Sequence, residues 1–287
     1  MQSARYIAHP TTADEVPMYR SLRLDPLPGS IVQLTVVGPG KGNAMGPDFW
    51  RELPLAVAAV AADPGCRVLV VRGGGEHFSY GLDLSGMAGA FADVLGQGAL
   101  GRTRIIALAR QMQSGFDALA ALDRPVIAAV DGWCIGAGVE MILACDLRLA
   151  TTRAKFALRE VNVGIVADLG GLQRLPWIVG EGVAREMALT GTDVDAARAE
   201  RVGLLNSVHA DAAALDVAVL DLATRLAQQP PLVLAGIKQV MNARIAAPVA
   251  HGLREAATLN GLLMQSEDFA EAMRAFMEKR VALFKGR

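Results

Sequence analysis

Apolar positions in this chain fall into short runs separated by glycine, proline and charged residues, and the period of those runs changes along its length. Residues 31–37 form a strand-like run closed by Gly38-Pro39-Gly40. Asp48 can cap a helix that continues to about Ala62, where Asp63-Pro64-Gly65 stops it. Residues 68–72 make a short apolar strand ahead of three glycines. Helical spacing returns over 103–122 and is broken at Arg124-Pro125. Residues 126–130 and 147–150 follow as further strands. Strands alternating with helices predict an α/β core. Beyond Gly170 the pattern turns mostly helical, with helices expected at about 180–190, 195–202, 211–228, 231–245 and 250–280. The last carries an apolar stripe that includes Leu253, Leu259, Phe269, Met273 and Phe276. Such a stripe serves either a core or a subunit contact.

Composition narrows the class. Of 287 residues, 52% are apolar and 20% charged, which is the profile of a packed globular protein. The formal net charge is −1, so no basic field exists for a nucleic-acid backbone or an anionic membrane, and neither is an expected partner. Cys66, Cys134 and Cys145 are odd in number and lack CxxC spacing. They argue against a disulfide framework or a zinc site and suit a reducing compartment. Residues 1–20 read as a loose arm with charges and prolines but no signal-peptide apolar segment. No apolar run is long enough to span a bilayer. A soluble, cytoplasmic protein is expected.

Two glycine-bearing segments follow predicted strands: His77-Phe78-Ser79-Tyr80-Gly81-Leu82-Asp83-Leu84 and Asp131-Gly132-Trp133-Cys134-Ile135-Gly136-Ala137-Gly138-Val139-Glu140. Ligands of α/β proteins gather at the C-terminal ends of strands. The second segment opens an apolar helix, whose exposed N–H groups and dipole favour developing negative charge. The same glycines also serve tight turns and close packing. Nucleotide-binding and hydrolase signatures fail. Gly38 to Gly46 lacks the Ser or Thr of a phosphate loop, Gly136-Ala137-Gly138 lacks a third glycine, and no G-x-S-x-G occurs. His9, His77, His209 and His251 have no metal-ligand spacing. Glu140, Glu160 and Asp168 stand in apolar surroundings. Each is either a general base with proton affinity raised by burial, or an acid paired with Arg148, Arg153, Arg159 or Arg174.

Residues 124–180 as a block, with GNAMGPDFW (42–50) and HFSYGLDL (77–84) upstream and AFMEKRVALFKGR (275–287) downstream, resemble the crotonase (enoyl-CoA hydratase/isomerase) superfamily. The resemblance covers nearly the whole chain beyond the first ~20 residues. It implies an α/β spiral of ββα units over residues 21–205, and a helical region over 206–287 that forms trimers or dimers of trimers. It implies an acyl-CoA thioester substrate, with coenzyme A as part of the substrate and no metal or redox cofactor. The thioester oxygen would be held by the backbone N–H groups of Leu82 and Ala137, the latter standing where glycine is commoner. Ala44, Ser79 and Gly81 would lie along the coenzyme A, and Phe276 and Lys279 match a C-terminal aromatic and lysine that contact a neighbouring subunit's coenzyme A.

Within the family the acids separate the members. A hydratase-like pattern has glutamates at the places of Glu140 and Glu160, and usually glycine at the place of Asp168. EVNVGIVADLGGLQRLP (160–176) looks more like the dienoyl-CoA isomerases, which more often have aspartate at the place of Glu140. The resemblance therefore implies conversion of a 3,5-dienoyl-CoA to a 2,4-dienoyl-CoA. Glu160 would take the C2 proton, Asp168 would return one at C6, and Glu140 would tune both. The competing readings are a 2-enoyl-CoA hydratase using Glu140 and Glu160, and a coenzyme A-binding protein without turnover. Residues 87–105, with Met87, Phe91, Leu95 and Leu100, are expected to form a mobile lid.

Overall fold

A computed structural model describes residues 19–287, so His9 and most of the arm expected over 1–20 lie outside the described residues. The first half of the chain runs β1 (Leu22–Leu27), β2 (Ile31–Val36), α1 (Pro47–Ala62), β3 (Val68–Gly73), α2 (Ala88–Ala92), α3 (Gly98–Ala121), β4 (Val126–Val130), β5 (Trp133–Ile135) and α4 (Ala137–Leu143). It continues with β6 (Leu147–Thr151), β7 (Lys155–Ala157), α5 (Gly171–Val179), α6 (Glu181–Thr190), β8 (Val194–Asp195), α7 (Ala196–Arg201), β9 (Ser207–His209), α8 (Ala212–Ala227), α9 (Pro231–Leu263) and α10 (Glu267–Glu278).

Six strands form one sheet in the order β1-β2-β3-β4-β6-β9, parallel throughout except for the β1–β2 hairpin. β3 and β4 are continuous apolar runs because both faces of the sheet are covered. Alternation splits their side chains. Leu69, Val71, Val126, Ala128 and Val130 join the main core with residues of α1, α3 and α4. Val68, Val70, Ile127 and Ala129 pack against Leu215, Val219 and Ala223 of α8. A smaller sheet, β5-β7-β8, lies one step along the chain from the first. The sequence β4-β5-α4 followed by β6-β7-α5 is the strand–strand–helix repeat that the resemblance implies. Among the described residues no helix is long and apolar enough to cross a membrane.

Four local expectations change. Asp48 is not the cap of α1: Gly46 holds that place without a side-chain bond, Pro47 opens the helix, and Asp48 pairs with Arg51 from within the first turn. The break expected between helices at 245–250 is absent. α9 runs through Pro248, which is exposed, so water can satisfy the carbonyl that its missing N–H leaves free. The helices separate instead at Ser266, which caps α10 by accepting from the Phe269 N–H at 3.1 Å. Finally, Met87 and Phe91 are core residues, with Phe91 edge-on to Phe269, while Leu100 is exposed.

Candidate active site

The two glycine segments are laced together at the ends of β3 and β4. Isolated bridges join Ser79 to Cys134 and Met45 to Leu82. The Ile135 N–H donates to the Ser79 carbonyl at 2.9 Å. Gly81 sits at the closest point with φ +81°, and a Cβ there would lie 2.6 Å from the Ile135 carbonyl and 3.1 Å from the Ala137 nitrogen. Only glycine allows that approach, which sets the residue before Leu82 against the start of α4 at Ala137.

The surrounding amides are occupied. Gly81 donates to Ser79 Oγ at 3.0 Å, Asp83 to the Met45 carbonyl at 3.1 Å, and Gly136 to the Ala157 carbonyl at 2.8 Å. The N–H groups of Leu82 and Ala137 donate to nothing among the described residues. Ala137 is the first residue of α4, so its N–H is one of those a helix start leaves unpaired. Both residues line one cavity of about 670 Å³. The cavity is thus lined by two main-chain donors without a partner among the described residues.

The three acids line the same cavity. Glu140 comes from α4, one turn beyond Ala137, and is 1% exposed. Its Oε1 accepts from the N–H groups of Leu169 (3.0 Å) and Gly171 (2.8 Å), which fastens the start of α5 to α4. Burial first, then the charges of Glu160 and Asp168, push its proton affinity well above the ordinary carboxylate range. Glu160 opens a 3₁₀ turn (Glu160–Val163). Its Oε1 leans on the second glycine segment, 2.8 Å from where a Cβ on Gly136 would be. Its Oε2 is buried without a partner among the described residues. Burial raises its pKa to about 7. Asp168, in the loop before α5, is raised to about 6 by burial, against the pull of a hydrogen bond from Asn260. Such values suit proton transfer near neutral pH.

The alternative of salt-bridged acids fails on geometry. Arg148 donates to the carbonyls of Leu204 and Cys145. Arg153 pairs with Asp131, Arg159 with Asp193, and Arg174 with Asp117. His77 accepts from the Trp133 N–H, and His209 bonds Ser207, so neither faces the acids.

The residues expected along the coenzyme A divide. Ala44 and Phe276 line the cavity, Phe276 on the wall of its own chain's cavity. Ser79 is fully buried and donates to the Asn43 carbonyl at 2.8 Å, so it and Gly81 shape the loop without lining the cavity. Lys279 ends α10 at φ +53°, exposed and off the cavity wall. The sequence reading missed Asn43, whose Nδ2 ties the first loop to the Gly74 and His77 carbonyls at 2.6 and 2.8 Å. It also missed Asn260 and Gln113, which hold Asp168 from α9 and α3. A polar residue inside an apolar helical stripe was the available signal for Asn260 and Gln113.

A family model described as Enoyl-CoA hydratase/isomerase matches residues 27–287. The chain is 36% identical over 272 residues to the mitochondrial Delta(3,5)-Delta(2,4)-dienoyl-CoA isomerase of Dictyostelium discoideum, covering 93% of this chain and 92% of that one. It is 35% identical over 257 residues to the 2,3-dehydroadipyl-CoA hydratase of Escherichia coli, covering 90% of this chain and 96% of that one. The crystal structure of an enoyl-CoA hydratase from Mycobacterium avium subsp. paratuberculosis superposes with a TM-score of 0.78 at 27% identity, over 92% of this chain and 98% of the other.

Proposed function

This chain belongs to the enoyl-CoA hydratase/isomerase family, and from that premise we propose that it is an enzyme converting 3,5-dienoyl-CoA thioesters to their 2,4-dienoyl isomers. Overall identity hardly separates the isomerase relative from the hydratase relative, so the choice rests on the acids. The observation that carries it is a third carboxylate, Asp168, on the cavity that holds Glu160 and the two free amides.

The thioester oxygen accepts from the Leu82 and Ala137 N–H groups. Glu160, beside the oxyanion loop, takes a proton from C2. The electrons of that C–H bond form a C1–C2 double bond as the carbonyl pair moves to the thioester oxygen. When the carbonyl re-forms, the C1–C2 electrons become the C2–C3 double bond, the C3–C4 double bond moves to C4–C5, and the C5–C6 electrons take a proton from Asp168 at C6. The intermediate is a trienolate whose oxygen charge rests on the two amides. One such donor is worth about 2.7–4 kcal/mol in a transition state. Glu140 keeps its proton beside two other carboxyls, so it adds no third negative charge to the cavity. The reaction is proton transfer alone, with coenzyme A part of the substrate. Phe276, on the cavity wall, lies along the coenzyme A, and the chain acts as a trimer or dimer of trimers.

The test is a spectrophotometric comparison of 3,5-dienoyl-CoA with crotonyl-CoA. The expected result is a rise in conjugated 2,4-dienoyl absorbance that is lost in both Glu160→Gln and Asp168→Asn. Hydration of crotonyl-CoA that survives Asp168→Asn but not Glu160→Gln would instead establish the hydratase. Tight acyl-CoA binding without product from either thioester would leave a binding protein.

A further inference from the structure

Asn260 lies on α9, is 1% exposed and reaches the same cavity. All its hydrogen-bonding groups are engaged. Oδ1 accepts from the Val166 N–H at 2.9 Å. Nδ2 donates to the Val166 carbonyl at 2.8 Å and to Asp168 Oδ2 at 2.8 Å. The Val166 pair fixes the amide orientation, because the Val166 N–H can only donate, so Nδ2 must face Asp168. Holding the loop to α9 requires only the two Val166 bonds, yet a third goes to the carboxyl. Gln113 of α3 grips the same residue by its carbonyl at 2.7 Å. The Asp168 backbone and side chain are thus held from two helices.

We propose that Asn260 is a positioning residue for the isomerisation: by occupying Asp168 Oδ2 it leaves Oδ1 to carry the proton delivered to the far end of the diene. This rests on the isomerase reading above. When Oδ1 gives up its proton, the carboxylate charge that forms is stabilised by the Nδ2 donor already in place. Other ionisable groups facing Asp168 are Glu140 from α4 and Glu160 from the 3₁₀ turn. On α5, Arg174 is committed to Asp117 of α3. α9 and α3 face Asp168 with the neutral amides of Asn260 and Gln113. Removing the Asn260 donor therefore destabilises the charged form of Asp168 and raises its affinity for a proton.

The experiment uses the full chain with Asn260→Ser and Asn260→Leu, and the serine variant carries the test if leucine prevents folding. Turnover of a 3,5-dienoyl-CoA is followed against pH, and exchange of the C2 proton in D2O is followed by NMR. Turnover should fall about tenfold, with KM within about twofold. The ionisation assigned to Asp168 should move to higher pH. C2 exchange, which needs only Glu160 and the amides, should stay within about twofold of the unsubstituted protein. A parallel loss of exchange and turnover, or an unmoved ionisation, would mean that Asn260 only holds the fold and would overturn the inference. If the unsubstituted protein neither isomerises nor exchanges, the isomerase reading itself falls.

Discussion

At the residue scale the site is governed by carboxyl groups kept from water. Glu160 is raised to about 7 and Asp168 to about 6, in both cases chiefly by burial. Because Glu160 must be free of its proton while Asp168 holds one, turnover should peak between about pH 6 and about pH 7 and fall on both sides, and a pH–rate profile checks this. The same shifts act on stability. The unfolded chain releases these protons in the ordinary carboxylate range, whereas the folded protein holds them to higher pH. Their contribution to stability is therefore full at low pH and is lost as pH rises through the folded values, to about 7 for Glu160. Glu160→Gln removes that loss. It should gain up to about 3 kcal/mol of stability above neutrality while abolishing isomerisation, as denaturant melts at two pH values would show.

At the scale of elements the decisive contact is between two loops, and Gly81 decides it. A methyl group there meets the Ile135 carbonyl, and its φ of +81° disfavours any other residue. Gly81→Ala should separate the Leu82 and Ala137 amides and cut kcat by about 10²–10³, the cost of one lost oxyanion donor. A kcat that is unchanged in a folded variant would contradict that role. At the other end of the chain, Ser266 fixes where α10 begins, and α10 carries Phe276 to the cavity wall. Ser266→Ala should cost about 1 kcal/mol and loosen α10 first, read as faster amide exchange in residues 267–278 and a raised KM.

At the scale of the whole molecule, one sheet with both faces covered sets the ends of β3 and β4 side by side, and α3 and α9 close the cavity behind them. α9 also presents Leu232, Val233, Ile237, Val240 and Met241 outward, all more than half exposed. Apolar patches on a helix face mark interaction sites, which supports the proposed trimer. Light scattering should give a mass three or six times that of the chain, and Val240→Glu with Met241→Glu should lower it.

Much of this was legible in order along the chain. Continuous apolar runs at 68–71 and 126–130 announce buried parallel strands, because such strands must be apolar on both sides. The glycine segments and their acids stand out as local composition, and their family resemblance named the residues. Strands of two or three residues, β5, β7, β8 and β9, left no trace, since so few positions cannot display a period. The helix break expected at 245–250 does not occur, because packing of α9 outweighs the local penalty of Pro248. Whether Glu140 and Asp168 had arginine partners, and whether Asn260 met Asp168 across 92 residues of chain, depended on long-range contacts that no local pattern encodes. The sequence by itself determined which groups can take or hold a proton. Only the tertiary structure decided which of them share a cavity with two unpaired amides, because burial and proximity are properties of the packed chain and not of its order.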